Sequence, residues 1–210
     1  MNLTEKYISE YTKNFTFDFS EHISCRIFDV EIGIDVFEYN DYHNHREKAH
    51  VIFQKGELKY ECILCDNHHY ENSFYPVILN GQHFICFRKT LYGFTLINAD
   101  TLFTEYEYFP AVVMQGEESF IITDVKQSTD LLIFEGCYWA CPYECFVFDY
   151  VRKLFWNVSK AYGIVCLDKT ILQKGNLILS GTDENNMAKE IAIPEKALIL
   201  GIEENGKSDF

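Results

Sequence analysis

Apolar residues in this chain gather in short runs rather than at helical spacing. Runs rich in Phe, Tyr, Val, Ile and Cys occupy residues 24–30, 32–39, 50–54, 58–64, 74–79, 83–88, 93–98, 103–108, 111–115, 119–124, 131–135, 145–149, 153–157, 163–167, 175–180 and 190–193. Asn, Asp, Gly and charged pairs separate them. Aromatic and β-branched side chains fit a pleated surface, and turn-forming residues limit each strand to a few positions. The pattern therefore predicts many short strands. Asn80-Gly81, between Val77-Ile78-Leu79 and His83-Phe84-Ile85, reads as a type I′ hairpin turn, whose two central residues both need positive φ. Gln54 to Glu57 and Gln115 to Glu118 read as two further turns. Helical spacing is confined to Leu3, Tyr7, Ile8 and Tyr11, which predicts a short N-terminal helix over 3–11 with Thr4 as its cap. Residues 194–200 are the second helical candidate, with Pro194 at the first position.

Two stretches share a rhythm. Residues 74–110 and 119–158 each read as a four-stranded meander. Their last two strands are joined by Asn98-Ala99-Asp100-Thr101 in one and Asp149-Tyr150-Val151-Arg152 in the other. A third, partial copy starts at Tyr162 and has Leu167-Asp168-Lys169-Thr170 at its turn. Units of about forty residues resemble, in strand rhythm, the blades of WD40 and kelch propellers. The Gly-His and Trp-Asp pairs of those repeats are absent here. The resemblance implies an all-β chain of antiparallel meanders of about four strands, propeller-like but incomplete or compact, since this length holds only about four or five blades. A β-sandwich or barrel is the alternative. No linker rich in Pro, Gly or Ser interrupts the chain, so a single all-β domain over 1–210 is expected.

Composition narrows the function. Hydrophobic residues at 48% supply a core and exclude disorder. The 32 acidic residues against 18 basic ones leave a formal charge of −14, which disfavours nucleic acid as a partner, because phosphate contacts need positive charge. No apolar run approaches the length of a membrane span. The N-terminus shows no signal-peptide pattern, so a cytoplasmic protein is expected, with its eight Cys reduced rather than paired.

Three clusters are candidates for chemistry. Cys62, Cys65, His68 and His69 carry zinc-type ligands, but the second pair follows too closely for a finger, and strand geometry turns Cys62 and Cys65 to opposite faces. Residues 136–145 hold Cys137, Cys141 and Cys145 at intervals of four, around Tyr138, Trp139 and Tyr143. Pro142 breaks any helix that would align the three Cys. A long aromatic loop between strands is a natural binding surface, and Tyr138, Trp139 and Tyr143 are its expected contact residues. The bland alternative is a hydrophobic plug at one end of a sheet. His43 and His45 share one face of an extended segment, but that segment reads as a solvated loop. No metal, cofactor or catalytic residue is assigned. Nucleophile elbows, phosphate loops and dinucleotide fingerprints are absent.

These readings favour a non-catalytic protein-interaction domain that binds or inhibits a basic protein partner. Immunity proteins that neutralise nuclease toxins are one such class, by charge and size alone. A small-ligand or carbohydrate-binding module built on the aromatic loop is the second expectation. A hydrolase using carboxylates and His is the third.

Overall fold

Short apolar runs broken by turn residues fold here as antiparallel meanders. The computed structural model describes residues 2–40, 45–65, 70, 73–117, 119–139 and 142–208. The chain divides into two compact units, Met1–Gly116 and Glu117–Phe210.

The first unit opens with helix α1 (Leu3–Thr12). Asn2 caps it rather than Thr4: its side chain accepts from the Glu5 amide at 2.8 Å, and the Glu5 carboxylate accepts from the Asn2 amide at 3.1 Å. This reciprocal box leaves Thr4 inside the first turn, buried. One four-stranded sheet follows, with β1 (Asp18–Ile27), β2 (Val30–Asn40), β3 (His45–Lys55) and β4 (Leu58–Cys65) in sequence order. The second holds β5 (Phe74–Leu79), β6 (Gln82–Phe87), β7 (Phe94–Asn98) and β8 (Thr104–Tyr108), also in order. Both sheets contribute to one core, through Ile32, Ile34, Val51 and Phe53 from one and Phe74, Ile85, Phe87 and Ile97 from the other. The run read as 24–30 is interrupted: Phe28, at φ 52°, turns the chain between β1 and β2, so apolar content continues across a turn that pattern alone cannot see. The run at 111–115 is not a strand. It forms a 3-10 turn, entered from Pro110 and closed by Gly116 in the left-handed region (φ 81°).

The second unit holds β9 (Ile121–Ser128), β10 (Leu131–Cys137), β11 (Glu144–Asp149) and β12 (Leu154–Asn157) as a four-stranded sheet. Helix α2 (Val158–Ala161) leads into a three-stranded sheet of β13 (Cys166–Gln173), β14 (Asn176–Thr182) and β15 (Ala188–Pro194). Helix α3 (Glu195–Asn205) follows directly. Pro194 stands at its cap rather than its first position. Leu198 and Ile202 of α3 join Leu131, Ile133, Val147, Leu177 and Leu179 in the core. Beyond the helix, Lys207 pairs with Phe155 of β12 through two backbone hydrogen bonds of 2.7 and 2.8 Å. None of the four sheets closes on itself among the described residues.

The repeat seen in the sequence has a physical basis. Between β7 and β8 the Asn98 side chain accepts from the amides of Asp100 (2.9 Å) and Thr101 (3.1 Å), and Leu102 follows at φ 56°. Between β11 and β12 the Asp149 carboxylate accepts from Val151 (2.8 Å) and Arg152 (2.9 Å), and Lys153 follows at φ 57°. A short polar side chain satisfies the bend in each. The second unit has its own echo. Gly136 in β10 and Gly181 in β14 each face a bulge in the preceding strand. A Cβ on either would lie 2.0 Å from the Ile121 carbonyl or 2.1 Å from that of Cys166. The stretches Leu131 to Gly136 and Asn176 to Gly181 are thus copies, tied by a backbone approach that admits only glycine.

Gly136→Ala is expected to destabilise the second unit by about 2–4 kcal/mol, because the carbonyl cannot yield without opening the ladder. Gly175→Ala, where nothing lies within 4 Å and only positive φ is at stake, is expected to cost about 1 kcal/mol. Both Trp residues, 139 and 156, lie in this unit, so denaturant unfolding followed by Trp emission measures both variants.

Candidate functional site

A cleft of about 930 Å³ opens in the second unit. Three elements supply most of its lining, beside Phe146 of β11 and the loop residue Tyr138. Strand β12 supplies Phe155, Trp156 and Asn157. Helix α2 and its exit supply Lys160, Ala161 and Tyr162, and α3 with its exit supplies Ala197, Leu200, Gly201, Glu204, Asn205 and Lys207.

The strand-to-helix junction explains the geometry. Asn157 ends β12, and its side-chain oxygen accepts from the Lys160 amide at 2.9 Å, which starts α2. Ser159, fully buried, donates to that same oxygen at 3.0 Å and accepts from the Cys145 amide at 3.0 Å. The Asn157 amide group donates to Glu144, at the end of the aromatic loop. One asparagine thereby ties β12, α2 and β11 together at the cleft wall. Trp156 alternates with buried Phe155 and so points the other way, onto α3. A Cβ at Gly201 would meet the indole at 2.3–2.8 Å, so glycine lets helix and ring touch. Tyr162 meets Trp156 edge-on, with centroids 6.0 Å apart.

The expected binding residues fall around this cleft in two ways. Tyr138 lines it, and its ring packs edge-on against Phe120 at 5.6 Å. Burial, reinforced by the negative charge of Glu144, pushes its phenol up to about 12, so the hydroxyl remains a donor throughout the physiological range. Trp139 and Tyr143 belong to the same loop but do not line the cleft; they are 49% and 44% exposed. The Tyr143 carbonyl accepts from the Leu167 amide at 2.9 Å, which fixes the end of the loop to β13. Cys145 is fully buried in the core, and burial pushes its thiol up. Cys141 lies outside the described residues.

Trp156, Tyr162 and Lys207, which sequence reasoning did not select, come from positions far apart in the chain. A partial signal existed: Trp156 sits in a predicted strand at the position opposite an apolar neighbour.

The other sequence candidates lie in the first unit. Cys62 and Cys65 fall on opposite faces of β4; Cys65 is fully buried, and burial pushes the Cys62 thiol up to about 12. His68, His69 and His43 lie outside the described residues. His45 contacts Glu47 at 2.8 Å. On the solvent side of β1–β4, His22 pairs with Asp35 at 2.6 Å and His50 with Glu61 at 3.2 Å. Among the described residues no group of three or more His, Cys, Asp and Glu is placed to hold a metal.

No protein-family model matches the chain, and no curated protein matches it. Among solved structures it is similar to "Crystal structure of HIRA(644-1017)", with a TM-score of 0.39 and 6% identity over 87% of this chain and 56% of that one. The chain thus spans about half the length of that structure. A likeness this distant carries no statement about sites or partners.

Gly201→Ala is expected to displace the Trp156 indole and reshape the cleft. In a Trp139→Phe background, where Trp156 is the sole indole, the emission maximum and its quenching by iodide should both change. An unchanged spectrum would show that the ring does not lie on the helix.

Proposed function

We propose that this chain is a non-catalytic protein-interaction domain of the cytosol, which contacts a basic protein partner through the second unit's cleft and the 136–145 loop. The observation that carries the reading is the aromatic surface. Trp139 and Tyr143 stand 49% and 44% exposed in the same loop whose Tyr138 forms the wall of an open, apolar-floored cleft. Large rings with a polar handle give contact area at low entropic cost, and they dominate interface energetics. The formal charge of −14 supports a basic partner and argues against nucleic acid. Neutralisation of a nuclease toxin is the concrete form this reading takes, by charge and size. The pairs His22–Asp35 and His50–Glu61 stand on a sheet of the first unit. Among the described residues no helix is long and apolar enough to cross a membrane.

A second reading has its own observation. The cleft combines the rings of Tyr138, Trp156 and Tyr162 with the amides of Asn157 and Asn205, a pairing of stacking faces and hydrogen-bonding groups suited to a sugar.

A pull-down from the native cell at low salt and at about 0.5 M salt tests the first reading, since charge-steered contacts weaken with ionic strength. The expected result is a partner captured at low salt, weakened at high salt, and lost with Trp139→Ala while that variant unfolds at the unchanged denaturant midpoint. Global unfolding of Trp139→Ala would instead identify the loop as a plug. Quenching of Trp156 emission by oligosaccharides, with no protein captured, would favour the sugar reading.

A further inference from the structure

The internal repeat makes two strand edges comparable. The turns that join β7 to β8 and β11 to β12 carry the same bonds. The Ala99 amide donates to the His83 carbonyl at 2.8 Å, as the Tyr150 amide does to Asp130 at 3.2 Å. The amides of Leu102 and Lys153 donate to the carbonyls of Asn98 and Asp149, both at 2.8 Å. Thr104 lies opposite Ile97 as Phe155 lies opposite Phe148. Phe103 and Thr104 of the first unit therefore correspond to Leu154 and Phe155 of the second.

The two pairs differ in what covers them. In the second unit an extended segment after α3 runs antiparallel to β12. Lys207 exchanges two backbone hydrogen bonds with Phe155, and Gly206 sits against Leu154, where an added Cβ would lie 3.0 Å from the leucine Cβ. Leu154 is partly buried as a result. In the first unit β8 is the last strand of its sheet, and among the described residues no strand or bridge pairs its outer edge. Thr104 is exposed. Phe103 is 76% exposed, more than any other large apolar side chain among the described residues. The bonds of Phe155 to Lys207 show which way the backbone points at this position, so the Thr104 N–H and C=O face outward. Helix α1 leaves room beside the strand: a recess of about 500 Å³ is lined by Ile8 of the helix and by Thr104 and Glu107 of β8.

The turn, rather than burial, fixes the exposed ring. The Phe103 amide donates to Thr101 Oγ1 at 3.4 Å, and its carbonyl accepts from the Asn98 amide at 2.9 Å. An open strand edge beside a fixed apolar ring suits an extended peptide, whose backbone extends the ladder while a side chain packs on the ring. A second copy of this chain is a poor occupant. Residues 104–108 include Glu105 and Glu107 and no basic residue, so two such edges would oppose like charges. The register shift between Leu96 and Ile97 also leaves Glu105 as a bulge, which interrupts edge-to-edge pairing.

We propose that the outer edge of β8 binds an extended, non-acidic segment of a partner protein. The segment runs antiparallel to the strand, exchanges backbone hydrogen bonds with Thr104 and lays a large apolar side chain on Phe103. It takes the place that Gly206 and Lys207 fill at β12. This surface belongs to the first unit and does not depend on the cleft of the second.

Amide NMR of the full chain titrated with a neutral, end-capped hexapeptide of alternating Thr and Val with one central Phe tests this. The expected result is a saturable shift of the amides of Phe103, Thr104 and Glu105, at a Kd below about 5 mM. A fully N-methylated copy of the peptide, which keeps the side chains and loses every backbone donor, should give none. Thr104→Pro removes an outward N–H at a position where an edge strand tolerates proline, and should weaken binding at least about tenfold. Phe103→Ser should weaken it at least about fivefold. No saturable shift, shifts mapping elsewhere, equal binding of the N-methylated copy, or unchanged affinity in Thr104→Pro would each overturn the assignment. So would dimerisation of the free chain that Thr104→Pro abolishes, which would give the edge to a second copy. If Thr104→Pro fails to fold, the N-methylated peptide and Phe103→Ser decide the matter.

Discussion

Four strands have no solvent side along most of their length, and that constraint governs where everything else stands. Residues 84–87 of β6, 94–97 of β7, 131–134 of β10 and 145–149 of β11 are buried without alternation. A strand covered on both faces can keep its backbone groups in the ladder, but each polar side chain it carries must find a partner inside the protein. Asp149 is 2% exposed and is matched by two amides and the Arg152 guanidinium, at 2.7–2.9 Å. Glu135 of β10, opposite Cys145, accepts from Lys126 and from buried Thr170. Ser159 bridges Asn157 and Cys145. These groups are fixed by their partners and are not available for chemistry.

The same constraint distributes the rings and the charges. Phe53, Phe84, Phe87, Phe94, Phe120, Phe134, Phe148 and Phe155 are almost completely buried, so much of the phenylalanine content is core. The outer strands are different. β2 and β3 alternate between buried and accessible positions, as do β14 and β15, and their open faces carry the charged side chains. The acidic excess is shared rather than focused: residues 1–116 hold 17 of the 32 acidic residues, and residues 117–210 hold 15. The charge is therefore a property of the whole surface, whereas the exposed rings of the aromatic loop are local.

Much of the fold was legible because strand punctuation is written locally. Asn80-Gly81 turns the chain as its type requires, with φ of 50° and 71°. The bends at Asn98 and Asp149 were visible as a repeat before their hydrogen bonds were known. Errors arose where one local pattern serves two structures. Ala111 to Gln115 carries the Val112-Val113 pair of a strand, yet Pro110 and Gly116 at its two ends dictate a 3-10 turn. Phe28 looked like strand because its ring is apolar, although it occupies the corner of a hairpin. The site was less legible than the fold. Tyr138 was reachable as part of a ring-rich loop, but Trp156 and Tyr162 come to the cleft from β12 and the exit of α2, and Lys207 only through the return of α3.

Helix α3 is held at both ends. At its start the Glu195 amide donates to the Gly175 carbonyl at 3.0 Å, and the Glu195 carboxylate accepts from Ser128 and Thr129. At its far end Lys207 is locked to Phe155. A wall anchored at both ends is preorganised, so on the proposed function a molecule entering the cleft would meet a surface close to its bound shape. Capture would then be limited by diffusion and collision orientation rather than by the rate at which a gate opens, and little chain entropy would be lost when such a complex forms.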